Sequence, residues 1–392
     1  MNRHTFLAMT GAAGLAATNE TLVAPTLAVA KGVSERTADY TVRIAATTVE
    51  VAPGREIRTT AYGGTVPGPL LRMREGKPVT IDVINETDAV DVVHWHGQIV
   101  PPSVDGVIEL GTPAVPAHGR QRYHFTPRPA GTRWYHTHIG AKQRPTRGEF
   151  NGEFGFVIIE PRNDPGRFDR EVLLALHEWD GRLVTSGGHD ASNAPSLTQP
   201  AMGMGGGMTG PTGGMMRGSG GMMGRGGMMG GGMGMSMLEA DYALFSINGR
   251  ALGHAEPIRV RSGERVLLRI LNASATLTHR LALPGHRFTI VALDGNPVPT
   301  PRTVDAIELG VAERVDAIVE MSHPGTWILG STSETFRSRG LGVVVEYAGQ
   351  AGKPLWHDPA SFAPCSTRAS DTRRICRSRT VASSSYYGKL AE

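Results

Sequence analysis

The sequence predicts an all-β protein built from two similar β-sandwich units. The 392 residues include 51 glycines and 26 prolines, which favour turns and short strands over long helices. Between residues 38 and 161, β-branched residues alternate with polar ones, and Gly and Pro interrupt the alternation at short intervals. No stretch of that region has a convincing helical periodicity. A Greek-key sandwich or barrel is therefore the expected architecture.

The first predicted domain spans residues 38–161 and consists of strands separated by short turns. We expect these strands at Tyr40–Val51, Glu56–Tyr62, Pro69–Asn85, Ala89–Val100, Arg120–Phe125, Thr132–Ile139 and Phe154–Glu160. Most of these stretches are rich in β-branched residues, so they fit the half-buried surface of a sheet better than a helix.

A second unit, predicted over residues 168–349, repeats the order of the first. Three pairs of segments match: Gly76–Asn85 with Gly263–Asn272, Gly131–Trp134 with Gly325–Trp327, and Gly155–Ile159 with Gly342–Glu346. Three matches in the same order indicate a duplicated domain. Residues 350–392 follow as a linker and a tail rich in Ser, Thr and Arg, which we expect to be disordered.

Two His-x-His pairs in the first unit are the candidate site. His94 and His96 lie in one predicted strand, and His136 and His138 lie in another. Side chains two residues apart on a strand point to the same face, so the two strands present four imidazoles to one small volume. Imidazole binds Zn, Cu, Fe and Ni, and the pattern therefore predicts a metal site. The alternative is that these histidines merely pair across a sheet.

The second unit lacks the two pairs, which favours the metal interpretation. It has about Leu329 and Ser331 where the first unit has His136 and His138, and residues 279–281 take the place of the other pair. A fold that replaces these histidines does not need them for packing.

Residues 201–237 are predicted to form a mobile insert in the second unit. This segment holds 12 of the chain's 16 methionines, and its glycine content does not support a regular element. Thioethers are soft ligands that prefer Cu(I), so Met222, Met223, Met228 and Met229 are candidates for Cu(I) capture. Low-complexity drift in a tolerant loop is the alternative.

The N-terminus, residues 1–30, has the features of an export signal. Asn2–Leu7 precedes the small-residue apolar run Ala8–Ala17, and Ala28–Ala30 is an A-x-A-type cleavage site. Asn2–Leu7 resembles a twin-arginine signal with His4 in place of the second arginine. The apolar run is too short for a membrane span, so we expect export to the periplasm. An uncleaved, partly disordered N-terminus is the alternative.

Composition limits the expected partners. The formal net charge is +4, and no basic patch with interleaved aromatic residues suggests nucleic-acid binding. The two cysteines, Cys365 and Cys376, both lie in the C-terminal tail. The main body therefore has no disulfide framework and no Cys-based zinc site, and histidine must bind any metal there.

Several of these motifs together resemble those of the multicopper oxidases, in particular the bacterial laccase and copper-resistance type. They are His94–Gly97, Val104–Gly106, Gly131-Thr132, Trp134–His138, the Gly152–Glu160 strand and the Met-rich segment. The resemblance covers about residues 38–360 and implies tandem cupredoxin (plastocyanin-like) Greek-key sandwiches.

The resemblance also implies residue roles and a reaction. His94 would bind a type 2 copper, His96 and His136 would share one type 3 copper, and His138 would bind the other. Asp105 matches an acid beside that centre which would deliver protons, although an Asp-Gly turn is an equal alternative. The implied reaction is one-electron oxidation of phenols or Cu(I), coupled to four-electron reduction of O₂ to water.

The sequence departs from the family where a third domain is expected. The family's His-Pro-x-His-x-His and His-Cys-His motifs, which complete the cluster and the type 1 site, do not occur in the 392 residues. Residues 354–359 resemble the linker into that domain, and the pattern changes after about Phe362. A frameshift is one explanation, and a natural short variant is the other.

Two functions follow from these observations. The first is a laccase-like oxidase of which this chain holds half of the trinuclear site and no type 1 site, so that the chain alone is expected to be inactive. The second is a non-catalytic periplasmic copper-binding or sequestering protein. Structural zinc is a weaker third possibility, because such sites favour cysteine.

Overall fold

The computed structural model describes residues 37–140, 148–162, 168–186 and 241–359. The described residues from Ala38 onward belong to one compact unit. The predicted export signal, the Met-rich segment with Met222, Met223, Met228 and Met229, and the C-terminal tail from residue 360 lie outside the described residues.

Strands dominate the described residues, and the only two α-helices in those ranges are very short. The first ten strands are β1 (Tyr40–Ala52), β2 (Arg55–Tyr62), β3 (Gly68–Arg74), β4 (Val79–Asn85), β5 (Val93–His96), β6 (Arg120–Phe125), β7 (Gly131–Thr137), β8 (Phe154–Glu160), β9 (Arg170–Asp180) and β10 (Val184–Ser186). The next ten are β11 (Tyr242–Ile247), β12 (Ile258–Val260), β13 (Arg265–Asn272), β14 (His279–Ala282), β15 (Phe288–Leu293), β16 (Asn296–Val304), β17 (Ala306–Leu309), β18 (Arg314–Glu320), β19 (Thr326–Ser331) and β20 (Gly342–Tyr347). The helices are α1 (Pro102–Asp105) and α2 (Glu334–Ser338). Neither helix is long and apolar enough to cross a membrane.

The strands form two sandwiches of two sheets each. In the first sandwich, the sheet β10-β2-β1-β4-β6 faces the sheet β3-β8-β7-β5. Alternating residues such as Val42 and Ile44 of β1 are fully buried between these sheets, while their neighbours are exposed or half-buried. This period of two is the alternation that the sequence shows, and it places Trp95 and Tyr135 in the same core.

The second sandwich repeats the topology of the first. Its sheets are β11-β9-β13-β18-β15-β16 and β12-β20-β19-β14-β17. Strand β13 lies between a parallel β9 and an antiparallel β18, as β4 lies between a parallel β1 and an antiparallel β6. The strand order β14-β19-β20-β12 likewise corresponds to β5-β7-β8-β3. The predicted all-β fold is confirmed, whereas the exact domain bounds of 38–161 and 168–349 stay a prediction.

Two predicted strands have clearly different bounds in the structure, and one helix was not predicted. The strand expected over Pro69–Asn85 divides into β3 and β4, because the turn at Glu75–Lys77 interrupts it. The strand expected over Ala89–Val100 shrinks to the four residues of β5. Helix α1 was not expected, and it has only four residues. Such a short turn has no periodicity for a sequence pattern to reveal.

A shared apolar cluster joins the two sandwiches. Trp134, Phe154 and Phe156 from the first sandwich pack with Trp179 and Leu271 from the second. Beside this cluster, the hydroxyl of Thr132 donates to the carboxylate of Asp316 at 2.6 Å, and Arg269 donates to the same carboxylate at 2.8 Å. The second sandwich therefore forms part of the surroundings of strand β7, which carries the second pair of histidines.

Candidate metal centre

The pairing of β5 with β7 brings the two His-x-His pairs together. The strands are antiparallel, and His94 lies directly opposite His136, while His96 lies opposite Trp134. Residues that face each other across a sheet point to the same side, so His94, His96 and His136 share one face. Trp95, between the two histidines of β5, points to the other side and packs with Tyr123 and Phe125 in the core.

The four imidazoles converge on one small volume, as the sequence predicts. The ring centroid of His94 lies 5.3 Å from that of His96, 5.2 Å from that of His136 and 5.1 Å from that of His138. The rings of His96 and His136 are 5.5 Å apart, and those of His136 and His138 are 5.9 Å apart. His94, His96 and His136 are half-buried and His138, just after β7, is exposed.

The nitrogen atoms in this cluster are spaced as ligands of a metal ion. One ring nitrogen from each of His94, His96 and His136 lies within 4.8 Å of the others. Nδ1 of His96 and Nε2 of His136 are 3.3 Å apart. Two imidazole nitrogens that each lie about 2.0 Å from a common ion, at a tetrahedral angle, are separated by roughly that distance. The donor set therefore fits a metal, and imidazole nitrogen suits Cu or Zn.

A carbonyl group fixes the ring of His94. Its Nδ1 lies 2.5 Å from the backbone carbonyl of Asp105, which can only accept, so Nδ1 carries the proton. The lone pair of the neutral ring is then on Nε2, where a metal can use it. The carboxylate of Asp105 is farther away, at 3.6 Å from Nδ1, and its side chain is 29% exposed.

Gly106 allows this contact between α1 and β5. Its backbone has φ +93°, and a Cβ there would lie 2.3 Å from the carbonyl oxygen of Val93 and 2.4 Å from Cα of His94. Only a residue without a side chain can therefore approach β5 this closely. This explains why glycine follows Asp105 in the Val104-Asp105-Gly106 motif. The glycine lets the Asp105 carbonyl reach the ring of His94.

His136 is held in the same manner and is covered by an aromatic ring. Its Nδ1 donates to the carbonyl of Thr137 at 2.7 Å, which leaves Nε2 as the atom with the lone pair. The indole of Trp134 stacks on the imidazole with a centroid distance of 4.1 Å and an angle of 23°. Two residues of β7 thus fix the orientation of this ring before any ligand arrives.

Burial keeps these imidazoles neutral. It lowers the pKa of His94, while the adjacent Asp105 carbonyl acts in the opposite direction. Burial also holds the pKa of His96 and of His136 well below the ordinary value, and nearby positive groups lower both further. A neutral imidazole is the form that binds a metal, so the cluster is ready for one at neutral pH.

The cluster opens into a cavity of about 440 Å³ that both sandwiches line. The first sandwich contributes the four histidines, Trp134, Asn151 and Phe154, and the second contributes Ala273, Ser274, Ala275, Val311 and Ala312. The wall from the second sandwich is mostly small and apolar. It shapes the space beside the rings but supplies no metal ligand among the described lining residues.

The sequence matches two models of one protein family. The models carry the same description, multicopper oxidase, and they match residues 43–164 and 201–342, which together cover more than half of the chain. The chain belongs to the multicopper oxidase family.

Curated relatives with the same description, or with names that refer to copper, support this assignment. The chain is 30% identical over 274 residues to multicopper oxidase MmcO of Mycobacterium tuberculosis, covering 68% of this chain and 48% of that protein. It is 31% identical to copper resistance protein A of Pseudomonas syringae pv. tomato, covering 68% of this chain and 43% of that protein. The chain therefore spans about half the length of these relatives.

Solved multicopper oxidase structures have the same fold. The blue copper oxidase from Nitrosomonas europaea superposes with a TM-score of 0.60 at 26% identity, covering 79% of this chain and 85% of that one. A laccase from Botrytis aclada, at 18% identity and a TM-score of 0.59, shares the fold alone. The predicted tandem cupredoxin architecture is thereby confirmed.

Sequence reasoning located the multicopper oxidase histidines but missed their surroundings. Trp134 lies two residues before His136 on the same strand, so the period of two could have indicated that the indole lies beside this imidazole. The buried Arg314 of the second sandwich also lies beside the cluster, next to Gly97. No local pattern signals that contact, because more than 200 residues separate the two positions in the chain.

Proposed function

We propose that His94, His96, His136 and His138 hold copper, and that the protein takes part in a laccase-like multicopper oxidase reaction. That reaction oxidises phenols or Cu(I) one electron at a time and reduces O₂ to water. The observation that carries the proposal is the 3.3 Å separation between Nδ1 of His96 and Nε2 of His136, which suits two ligands of one ion. Membership of the multicopper oxidase family supports copper over zinc.

The proposed roles follow the positions of the rings. His94 would serve a type 2 ion, His96 and His136 would share a type 3 ion, and the exposed His138 would serve the second type 3 ion. Bound copper would supply one-electron redox chemistry and a place for O₂. The protein's own contribution is to fix the rings through the Asp105 and Thr137 carbonyls and to cover them with Trp134.

Asp105 is the proposed source of protons for reduced oxygen. Its carboxylate lies 3.6 Å from Nδ1 of His94 and is partly exposed, so it reaches both the cluster and the solvent. The backbone carbonyl of the same residue already holds the ring. The carboxylate is therefore available for proton exchange, which a partly exposed acid next to a metal site performs readily.

We further propose that these four histidines form one half of the oxygen-reducing centre. Three of these imidazoles can hold a single ion, but four imidazoles shared among three ions leave each ion with one or two protein ligands, which is fewer than a stable three-ion centre needs. The family's His-Cys-His motif, which would build a type 1 site, does not occur in the 392 residues. The 392-residue chain alone should therefore bind copper without oxidase turnover, and the remaining ligands would have to come from another polypeptide segment.

A Cu(II) titration combined with an oxidase assay tests this proposal. Isothermal titration of the 392-residue chain should show Cu(II) binding that His136→Gln removes and His124→Gln retains. His124 is a suitable control because it is exposed on β6, where it contacts Thr80. Equal binding by the wild type and the His136→Gln variant would refute the copper site. Oxygen uptake with a diphenol by the copper-loaded chain would refute the half-site.

Copper capture without catalysis is the second candidate, and the exposure of His138 beside an open cavity favours it. In that case the protein would sequester copper in the periplasm after export. The Met-rich segment would contribute Cu(I) ligands at Met222, Met223, Met228 and Met229. Deleting residues 201–237 and measuring the copper tolerance of the host separates this function from the oxidase. Reduced tolerance with no change in oxygen uptake would favour capture.

A further inference from the structure

The second sandwich supplies a buried positive charge next to the histidine cluster. Arg314 is the first residue of β18, and its side chain is only 4% exposed. Its guanidinium packs against Gly97, the residue that follows His96. A Cβ on Gly97 would lie 2.8 Å from Nη2 of Arg314, so the absence of a side chain there allows the guanidinium to come close.

Backbone carbonyls hold the guanidinium in this position. Nη1 of Arg314 donates to the carbonyl of Ala312 at 2.8 Å, and Nη2 donates to the carbonyl of Asp294 at 3.1 Å. The carboxylate of Asp294 lies 3.3 Å from Nη1 and forms an ion pair with it. An arginine side chain remains protonated in proteins, so this charge is permanent and fixed in place.

The guanidinium of Arg314 acts on the cluster at short range, because it packs against Gly97, one residue from His96. A fixed positive charge at this place disfavours a metal cation among the rings through Coulombic repulsion. The repulsion is twice as large for a divalent ion as for a monovalent ion at the same place.

We propose that Arg314 sets the oxidation-state preference of the histidine cluster by weakening its hold on Cu(II) more than on Cu(I). The inference rests on the copper site proposed above. Arg314 is not a ligand but acts on the metal through its fixed charge. The second sandwich, which supplies none of the four histidines, would thereby make bound copper easier to reduce.

The experiment compares Cu(II) affinities of four variants of the 392-residue chain at pH 8, where neutral imidazoles remove competition from protons. Chelator competition should show Arg314→Gln binding Cu(II) about tenfold more tightly than the wild type, because a repulsive charge is gone. Arg314→Lys should stay within about threefold of the wild type, since it keeps the charge. The Cu(I) affinity of Arg314→Gln, measured under a reductant, should change by less than its Cu(II) affinity.

Arg269→Gln is the matched control. Arg269 is also buried between the sandwiches, with its side chain 11% exposed, but its hydrogen bonds go to Thr132, Glu171 and Asp316. Its replacement disturbs the same interface and should leave Cu(II) affinity unchanged. A purely structural role for Arg314 predicts a loss of affinity on substitution, whereas the electrostatic role predicts a gain.

Asp294→Asn tests the same charge from the opposite direction and does not remove Arg314. Asp294 has φ +49°, a conformation that asparagine tolerates well, so this variant should fold. Without the carboxylate, more of the guanidinium charge acts on the cluster, and Cu(II) affinity should fall a few-fold.

Two results would overturn the inference and leave the copper site intact. One is wild-type Cu(II) binding with no gain in Arg314→Gln, and the other is no loss in Asp294→Asn. Absence of histidine-dependent Cu(II) binding in the wild type would instead overturn the proposed function, and the inference with it.

Discussion

The same pair of strands carries different chemistry in the two sandwiches. Strands β5 and β7 of the first sandwich correspond to β14 and β19 of the second. In the first, His136 pairs with Phe154, the first residue of the closing strand, and in the second Gly330 pairs with Gly342, the first residue of its closing strand. Both pairs face away from the core, because Tyr135 and Leu329 beside them face into it. Gly330 therefore occupies the position of His136.

This register corrects the sequence alignment by one residue in β7 and by three residues in β5. Gly330 pairs with Ala282, as His136 pairs with His94. Ala282 and Gly330 are both buried. The two metal-type positions of the first sandwich are thus held by small residues in the second. The difference teaches that this cupredoxin strand pair packs well without histidine and needs histidine only for a ligand.

The second sandwich does keep one histidine in this strand, and it is structural. His279 is fully buried, its Nε2 lies 2.8 Å from the hydroxyl of Ser274, and it lies 3.7 Å from a carboxylate oxygen of the equally buried Glu178. Burial works to raise the pKa of Glu178, but the contacts with His279, His177 and Ser274 together outweigh it, so the pKa is lowered. A histidine with such partners stabilises the core, whereas His94, His96 and His136 of the first sandwich each bring one ring nitrogen within 4.8 Å of the others.

The largest expected effect comes from removing two imidazoles from the first strand pair, since the second strand pair has none at these positions. The double variant His94→Leu/His136→Ser should lose more than about 100-fold in Cu(II) affinity, because two ligands disappear. Its circular dichroism spectrum should match that of the wild type, since both rings line the cavity and neither belongs to the core of the first sandwich. Retention of wild-type affinity, measured by chelator competition, would contradict the assignment of these ligands.

The reciprocal double variant, Ala282→His/Gly330→His, is the control. It should gain no copper site. Among the described residues of β14 and β19, the only other histidine is His279, and its ring already contacts the hydroxyl of Ser274 at 2.8 Å. Two more buried imidazoles without partners should lower the free energy of unfolding by about 3 kcal/mol. Thermal unfolding measures this loss.

The pH dependence of the metal-free protein sharpens the comparison. The pKa values of His94, His96 and His136 are lowered in the folded protein, mainly by burial, so the unfolded chain takes up protons at a higher pH than the folded chain. Stability should therefore be greatest above about pH 6.5 and should fall as the pH drops below this value. The variant His94→Leu/His136→Ser should lose stability less steeply on acidification. Equal slopes in urea unfolding between pH 7 and pH 5 would contradict this.

The part of the site that the sequence predicts is the part that depends on local periodicity. A spacing of two residues on a strand fixes which side chains share a face, and this was sufficient to group His94, His96, His136 and His138. The contact of Arg314 with Gly97 depends on how two sandwiches pack, and no short-range pattern encodes it. For the same reason the sequence placed the strands but misaligned the two units by one residue in β7 and by three residues in β5.

A smaller effect is expected at Gly106, which has no counterpart with this role in the second sandwich among the described residues. Gly106→Ala places a Cβ 2.3 Å from the carbonyl oxygen of Val93 and should lower the free energy of unfolding by about 3 kcal/mol. It should also weaken Cu(II) binding about tenfold, because the Asp105 carbonyl moves away from the ring of His94.

Gly54→Ala is the matched control for Gly106→Ala. Gly54 also has a positive φ, +70°, but a Cβ there meets nothing within 4 Å. Its substitution should therefore cost only about 1 kcal/mol and leave Cu(II) affinity unchanged. If the two alanine variants weaken copper binding equally, the close approach of α1 to β5 does not orient the ring.

The smallest effect is expected at Asp105, where the contact to His94 uses the backbone. The carbonyl of Asp105 lies 2.5 Å from Nδ1 of His94, and the carboxylate lies 3.6 Å from it, beyond hydrogen-bond distance. Asp105→Asn keeps the carbonyl and should leave Cu(II) affinity within about threefold of the wild type. Loss of a side chain that orients a metal ligand typically weakens binding by about 10–100-fold, so the two roles are easily separated by chelator competition. A drop of that size would mean that the carboxylate orients His94, and it would then be less free to transfer protons.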